Sequence, residues 1–188
     1  METILQIDHW IFARINHDWT NSFFDWFFPA ITDLHKNPWC IAVVVALLAI
    51  WVWKRRWVAI RWISILALSA AMADIVAYRV IKPTVSRSRP PASGIAVQLR
   101  THSHSGMSFP SNHATNIFAA ATVLSAAFPT FSLPFYFFAF LIAYSRVYVG
   151  VHFPTDVLAG ALLGIAIATF VRKAVEFVER KSGRALPR

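Results

Sequence analysis

Five stretches of this chain are too apolar and too long to be packed together inside a protein of its size. They cover residues 38–53, 57–81, 111–128, 133–148 and 154–171. A helix that crosses a bilayer needs about 20 mostly apolar residues, and all five approach that length. Only 14% of the 188 residues are charged and 57% are hydrophobic, against about 25% and about 45–50% in soluble domains. One core cannot absorb that excess, so the expectation is an all-α, polytopic membrane bundle. It should form a single domain over residues 1–188 with about five spanning helices.

The N-terminal 36 residues read differently. Ile4, Leu5, Ile7, Trp10, Ile11 and Ile15 follow a helical period with polar residues between them. Residues 21–34 are apolar but short, and contain Asp25, Pro29 and Asp33. Both segments are expected to be interfacial or re-entrant helices, with a sixth span as the alternative. Asp8, Arg14 and Asp25 interrupt the first stretch, so a cleavable signal peptide is not expected. Cys40 is the only cysteine, which excludes an intrachain disulfide and a zinc–thiolate set.

Charge sets the expected orientation. The net charge is +9, and much of it lies in clusters between apolar runs. That distribution suits anionic lipid surfaces and phosphorylated substrates, and nucleic acid is not expected as a partner. Trp51, Trp53, Trp57 and Trp62 flank Lys54, Arg55, Arg56 and Arg61; residues 172–188 form a second basic cluster, read as a cytoplasmic tail. The positive-inside rule puts both clusters in the cytoplasm. Residues 82–110 and 145–156 then emerge together on the outer face of an inner, cytoplasmic membrane. Lys82, Arg87, Arg89, Arg100 and Arg146 sit there against the rule, which points to an anion-binding task. Asp74 lies within the second apolar stretch, where a charge is expensive, and its expected partner is Arg79. Gly160, Gly164 and Ala168 repeat every four residues, a stripe suited to close helix packing.

Three short blocks hold nearly all of the reactive side chains. They are Lys82-Pro-Thr-Val-Ser-Arg-Ser-Arg89-Pro90, then Pro110-Ser111-Asn112-His113, then Ser145-Arg146 followed by His152-Phe153-Pro154-Thr155-Asp156. A phosphoryl group in transit spreads negative charge over three oxygens, so its transfer rests on positioning and electrostatics. Lys82, Arg89 and Arg146 supply three cations, the guanidinium forks able to bind two oxygens each. Ser111 adds a hydroxyl, and the N–H groups after Pro110 open a helix whose N-terminus favours an anion. Taken alone, Arg89 and Arg146 could equally be snorkelling anchors, and Asp156 a helix cap. His102 and His104 without further ligands make a poor metal site, and neither a metal nor another cofactor is expected.

In order and spacing these blocks resemble the signature of the type 2 phosphatidic acid phosphatase family, related to bacterial acid phosphatases and vanadium haloperoxidases. The resemblance implies metal-independent hydrolysis of a lipid phosphate or pyrophosphate through a phosphohistidine. It implies His152 as nucleophile, Asp156 as the carboxylate that orients it, and His113 as general acid. It places Lys82, Arg89, Ser111, Asn112 and Arg146 around the phosphate; Arg87 and Arg100 lie outside the signature and are read from their charge as further contacts for an anionic headgroup. One position departs from the pattern: Asn112 stands where the family most often has Gly, which bears on substrate preference. The substrates implied are undecaprenyl pyrophosphate, phosphatidylglycerophosphate, a lipid A phosphate or phosphatidic acid. A lipid phosphotransferase using the same intermediate is the alternative enzyme; a non-catalytic lipid-binding protein would not need His113, His152 and Asp156 together.

Overall fold

Helices are the only regular elements among the described residues, 2–101 and 105–183, of the computed structural model. His102 and His104 lie outside those residues. Helix α1 spans Glu2–Ala13 and runs into a π turn, Arg14–Asp18. Helix α2, Ser22–Thr32, starts where the Asn21 side chain accepts the Phe24 N–H at 2.9 Å. Helix α3, Pro38–Asp74, is started by Asn37, which caps Trp39 and Cys40, and by Pro38 in the first turn. These are common N-terminal signals, an acceptor side chain and a proline that has no N–H to leave unpaired.

Helix α3 is two helices joined end to end. At Arg56 the backbone turns to φ 33°, a conformation that L side chains rarely adopt. The break falls inside the basic Lys54–Arg56 cluster, so residues 38–55 and 57–74 correspond to the first two apolar stretches. A π segment, Ile75–Ile81, then carries the chain into α4, Lys82–Val85, which ends on left-handed Ser86. Helices α5 (Asn112–Ala127), α6 (Ser132–Tyr148) and α7 (Pro154–Lys181) complete the bundle.

Three helical runs are long and apolar enough to cross a bilayer: Pro38–Ala92 with its break, Pro129–Tyr148 and Pro154–Lys181. The chain is an integral membrane protein, and its surface agrees. Trp39 is 80% exposed, Leu133 81% and Trp57 70%, with Leu47, Phe137, Leu158, Leu162 and Phe170 also open. Side chains of this kind would be unstable in water over so wide an area, and they suit lipid. Helix α5, 16 residues long, is the central element and packs on α3, α6 and α7.

The small-residue stripe explains the tightest contact. A Cβ on Gly160 would lie 2.6 Å from the Ser111 carbonyl oxygen, and one on Gly164 only 2.2 Å from that of Thr115. Only hydrogen fits there, so α7 lies directly on the backbone of α5. The Ser111 N–H donates to the Asp156 carbonyl at 3.0 Å, which locks the N-terminal ends of both helices together.

Two expectations change. Asp74 accepts from Asn116 Nδ2 at 2.9 Å and forms no ion pair with Arg79 among the described contacts. Arg79 stands five residues on, within the π segment, and the partner comes instead from the neighbouring α5. The basic C-terminal segment is also helical as far as Lys181. Arg172 pairs with Glu176 at 2.8 Å, and the Arg61 fork grips both Glu179 oxygens at 2.7 and 2.8 Å.

Candidate active site

The chain's two polar segments meet at one end of the bundle, where the loop 149–153 between α6 and α7 carries His152. Val151 N–H and His152 N–H both donate to the Arg146 carbonyl at 3.2 Å, and Gly150 turns the chain at φ 84°. A Cβ there would meet Val97 Cγ1 at 2.8 Å and the Gln98 carbonyl at 3.0 Å. His152 itself is 2% exposed.

The two ring nitrogens of His152 face different partners. Arg89 Nη1 lies 3.0 Å from Nε2 and 2.9 Å from the Val151 carbonyl. Arginine has no acceptor to offer, so this contact requires a bare Nε2 and puts the proton on Nδ1. On that side stand Ser108 Oγ at 3.4 Å and Asp156 Oδ2 at 3.5 Å. Burial lowers the His152 pKa from 6.5 to about 4; the nearby Asp156 carboxylate opposes this, and the Arg89 charge adds to it. The ring is therefore neutral at neutral pH, in the tautomer a nitrogen nucleophile needs.

Asp156 is fully buried and held on all sides. Oδ2 accepts from Ser108 Oγ at 2.5 Å and from the Phe153 N–H at 2.8 Å; Oδ1 accepts from Arg87 Nη1 at 2.7 Å. It is thus a helix cap and an orienting carboxylate at once. Arg87 also reaches Asp8 Oδ2 at 2.5 Å and Thr155 Oγ1 at 2.7 Å, while its guanidinium carbon sits 4.1 Å from the Phe153 ring centroid. Asp8 in turn accepts the Thr155 N–H at 2.9 Å.

The other cations take up distinct positions. Lys82 is buried and donates to the Met107 and Pro110 carbonyls at 2.8 and 2.9 Å. Arg89 Nε reaches the Ser105 and Gly106 carbonyls, so two residues of the first block tie down the loop before Ser111. Arg146, 2% exposed, donates through Nη1 to Thr32 Oγ1 at 2.7 Å, and its buried Nε has no hydrogen-bond partner among the described residues. Ser111 is the N-cap of α5, its Oγ 3.5 Å from the Ala114 N–H. Asn112 and His113 form the first turn of that helix. His113 lies in electrostatic range of Arg146, His35, His152 and Asp33. Its ring stands edge to face with His35, centroids 5.4 Å apart.

Arg87 and Arg100 are not arranged as free headgroup contacts. The Arg87 fork is spent on Asp8, Thr155 and Asp156. Arg100 pairs with Asp25 at 2.7 Å, donates to the Asn16 carbonyl and covers the Tyr148 ring. Each cation found a carboxylate far away in sequence, which the motif spacing could not show. The expectation that the chain offers no metal-ligand set also changes, because Asp33, His35 and His113 converge in space.

Five residues near the site escaped the sequence: Asp8, Thr32, Asp33, His35 and Ser108. Asp8 had a signal, being an acid on the helical face of Ile4, Ile11 and Phe12. The other four had none, since each is defined by an element distant in the chain.

Residues 62–180 match the family model described as PAP2 superfamily. The chain belongs to the PAP2 superfamily. A lipid A 4'-phosphatase of Bacteroides thetaiotaomicron is 31% identical over 150 residues, 76% of this chain and 65% of that protein. The chain thus spans about two thirds of the length of that relative. A decaprenylphosphoryl-5-phosphoribose phosphatase of Mycobacterium tuberculosis is 33% identical over 141 residues, 73% of this chain and 71% of that one. Among solved structures, Aquifex aeolicus LpxE superposes with a TM-score of 0.70 at 30% identity, covering 87% of this chain and 93% of that one. The PAP2 match takes in Lys82, Arg89, His113, Arg146, His152 and Asp156, the residues that the bundle brings to one end.

Proposed function

We propose that this PAP2 chain is a lipid phosphatase that cleaves a phosphate monoester or pyrophosphate headgroup through a phosphohistidine on His152. The observation that carries the proposal is the bare Nε2 of His152, with Asp156 and Ser108 behind the opposite nitrogen and Arg89 in front.

In the first step the Nε2 lone pair attacks phosphorus and the bond to the leaving oxygen breaks. His113, in its protonated form, gives that oxygen its proton. The imidazolium formed on His152 keeps its Nδ1 proton, and the Asp156 carboxylate stabilises it as in a serine triad. Arg89, the partnerless Arg146 Nε, Ser111 and the first N–H groups of α5 receive the equatorial oxygens. In the second step water attacks phosphorus, loses its proton to His113, and the P–N bond breaks to free inorganic phosphate.

An apolar route to the site supports a lipid substrate. A cavity of about 450 Å³ beside His113 is lined by Ile31, Ile117, Phe138 and Ile142. A second of about 640 Å³, lined by Trp39, Ile41 and Val44, shares Leu34, His35 and Phe138 with it. A tail lying there would present its phosphate to His152 and its leaving oxygen to His113. Lipid A phosphates and polyprenyl phosphates, the substrate classes named for the relatives, are the two to try first.

Phosphate release from a panel of purified lipid phosphates, in detergent with chelator present, is the direct test. Release that vanadate inhibits is the expected result; release only after adding a divalent metal overturns the mechanism. We further propose that the site faces outward from the cytoplasmic membrane. In a Cys40→Ser background, an impermeant maleimide applied to spheroplasts should label Ser105→Cys and spare Ser182→Cys. The reverse pattern would move the site to the inner leaflet.

A further inference from the structure

We infer that Asp33, His35 and His113 form a binding site for a borderline first-row divalent cation of the zinc type, and that its occupation arrests the enzyme. One carboxylate oxygen of Asp33 and one ring nitrogen of each histidine lie within 4.8 Å of one another. Two imidazoles and a carboxylate make a common three-residue zinc set, which leaves a fourth position for water or a phosphate oxygen. The ligand types disfavour magnesium and calcium, which take oxygen donors.

Among the described residues the two imidazoles are uncommitted, and Asp33 is held only by the lysine three residues on. Neither ring nitrogen of His35 or His113 makes a hydrogen bond among the described residues. Asp33 Oδ1 is buried with no hydrogen-bond partner; its neighbour is the Lys36 ammonium at 3.0 Å, which forms an ion pair without hydrogen-bond alignment. Bonds of about 2.0–2.2 Å to a tetrahedral zinc put ligand atoms about 3.4 Å apart, so separations of up to 4.8 Å must close by as much as about 1.4 Å. His35 is exposed, on the 3-10 turn Leu34–Lys36, and its side-chain torsions can supply that movement. Arg146 and Lys36 are the nearby cations that oppose binding, and Asp33 is the charge that offsets them.

The consequence follows from His113. A ring nitrogen bonded to zinc cannot deliver a proton to a leaving oxygen or take one from water. A bound cation would therefore stop both half-reactions while leaving His152 untouched. The inhibitory part rests on the function proposed above; the binding part does not.

Zinc titrated into the purified full chain, stripped with chelator and competed against a chromophoric chelator, tests the site. The expected result is one zinc per chain, weakened roughly tenfold or more in both His35→Ala and Asp33→Asn, and unaffected by excess magnesium. A His9→Ala/His17→Ala variant should bind as the wild type does. Equal affinity in all variants, or loss only in the His9/His17 variant, overturns the site. In parallel, zinc should slow phosphate release reversibly, with the inhibiting concentration raised about as much in His35→Ala, each protein compared with its own metal-free rate. Binding that depends on His35 and Asp33 without inhibition keeps the site and overturns its inhibitory role. A wild type that releases no phosphate from any lipid overturns the phosphatase function instead, and the titration still decides the metal site.

Discussion

The loop that carries His152 and the helix end that carries His113 face the same reaction space, yet they are held by opposite means. His152 is buried between Arg89 on one nitrogen and Ser108 with Asp156 on the other. Behind that pair a second layer, Arg87, Thr155 and Asp8, anchors Asp156 to α1. His113 has no such scaffold. Its neighbours are another imidazole, a carboxylate and an apolar cavity. The difference suits the two tasks proposed above. A nucleophile must keep one nitrogen bare throughout, so a fixed tautomer serves it. A proton shuttle changes state twice in each cycle and needs access to water and to the leaving group.

Breaking the fixed side should have the largest effect. His152→Ala is expected to lose turnover on the order of 10⁶-fold, the scale seen when a covalent nucleophile is removed, with folding in detergent unchanged. A rapid acid quench of the wild type should trap alkali-stable, acid-labile phosphate that this variant lacks. Turnover retained by the variant would leave the comparison without its central residue. Breaking the open side should cost less. His113→Ala should slow hydrolysis by about 10²–10⁴-fold, the usual worth of acid–base help. A substrate with a good leaving group, such as a nitrophenyl phosphate, should recover phosphoenzyme formation but not its hydrolysis. Equal losses with both leaving groups would argue that His113 binds phosphate and shuttles nothing.

The second layer is the next test. Asp8→Asn removes one charge from the Arg87 bridge while keeping shape. A hydrogen bond to a charged group is worth about 1.5–3 kcal/mol, and only part of that reaches His152 through two intervening residues. About a tenfold fall in kcat, with KM unchanged, is therefore expected. A larger rise in KM would mean that α1 shapes the substrate route and not the nucleophile.

These layers also show what the sequence can carry. The site's inner ring was legible because Lys82, Arg89, Ser111, His113, Arg146, His152 and Asp156 fall in short blocks whose chemistry depends on local spacing. The broken α3 was legible for a similar reason: Lys54, Arg55 and Arg56 interrupt two apolar stretches. Asp8, Thr32 and Ser108 were not, because their roles exist only once α1, α2 and the loop before α5 have packed around the loop 149–153. Arg87 and Arg100 misled for the same reason. Read as loop cations they suggest an anion outside the protein, whereas each is matched by a carboxylate from the N-terminal helices, Asp8 or Asp25. Asp74 shows the limit within one helix: Arg79 is five residues away, not one turn, and Asn116 of α5 is the partner that packing supplies.

The smallest effect expected is on stability, and it isolates His152 from the rest of the site. Its pKa in the folded protein is about 4, against 6.5 when unfolded. Between these values the unfolded chain binds more protons at this residue than the folded one, so folding loses stability as pH falls. The contribution is complete above pH 6.5 and is lost progressively as pH drops towards 4, with a slope of at most about 1.4 kcal/mol per pH unit. Other groups titrate over part of this range, so a single melting curve against pH cannot assign the slope. The His152→Gln variant can, since it fills similar space and cannot gain the proton. Thermal unfolding in detergent should show a constant offset between wild type and variant above about pH 6.5, with the wild type losing stability relative to the variant as pH falls towards 4. A constant difference from pH 7 to pH 4 would mean that His152 titrates alike in the folded and the unfolded chain. Burial and the Arg89 contact would then give His152 no preference for the neutral form, and the fixed side would lose its distinction from the open one.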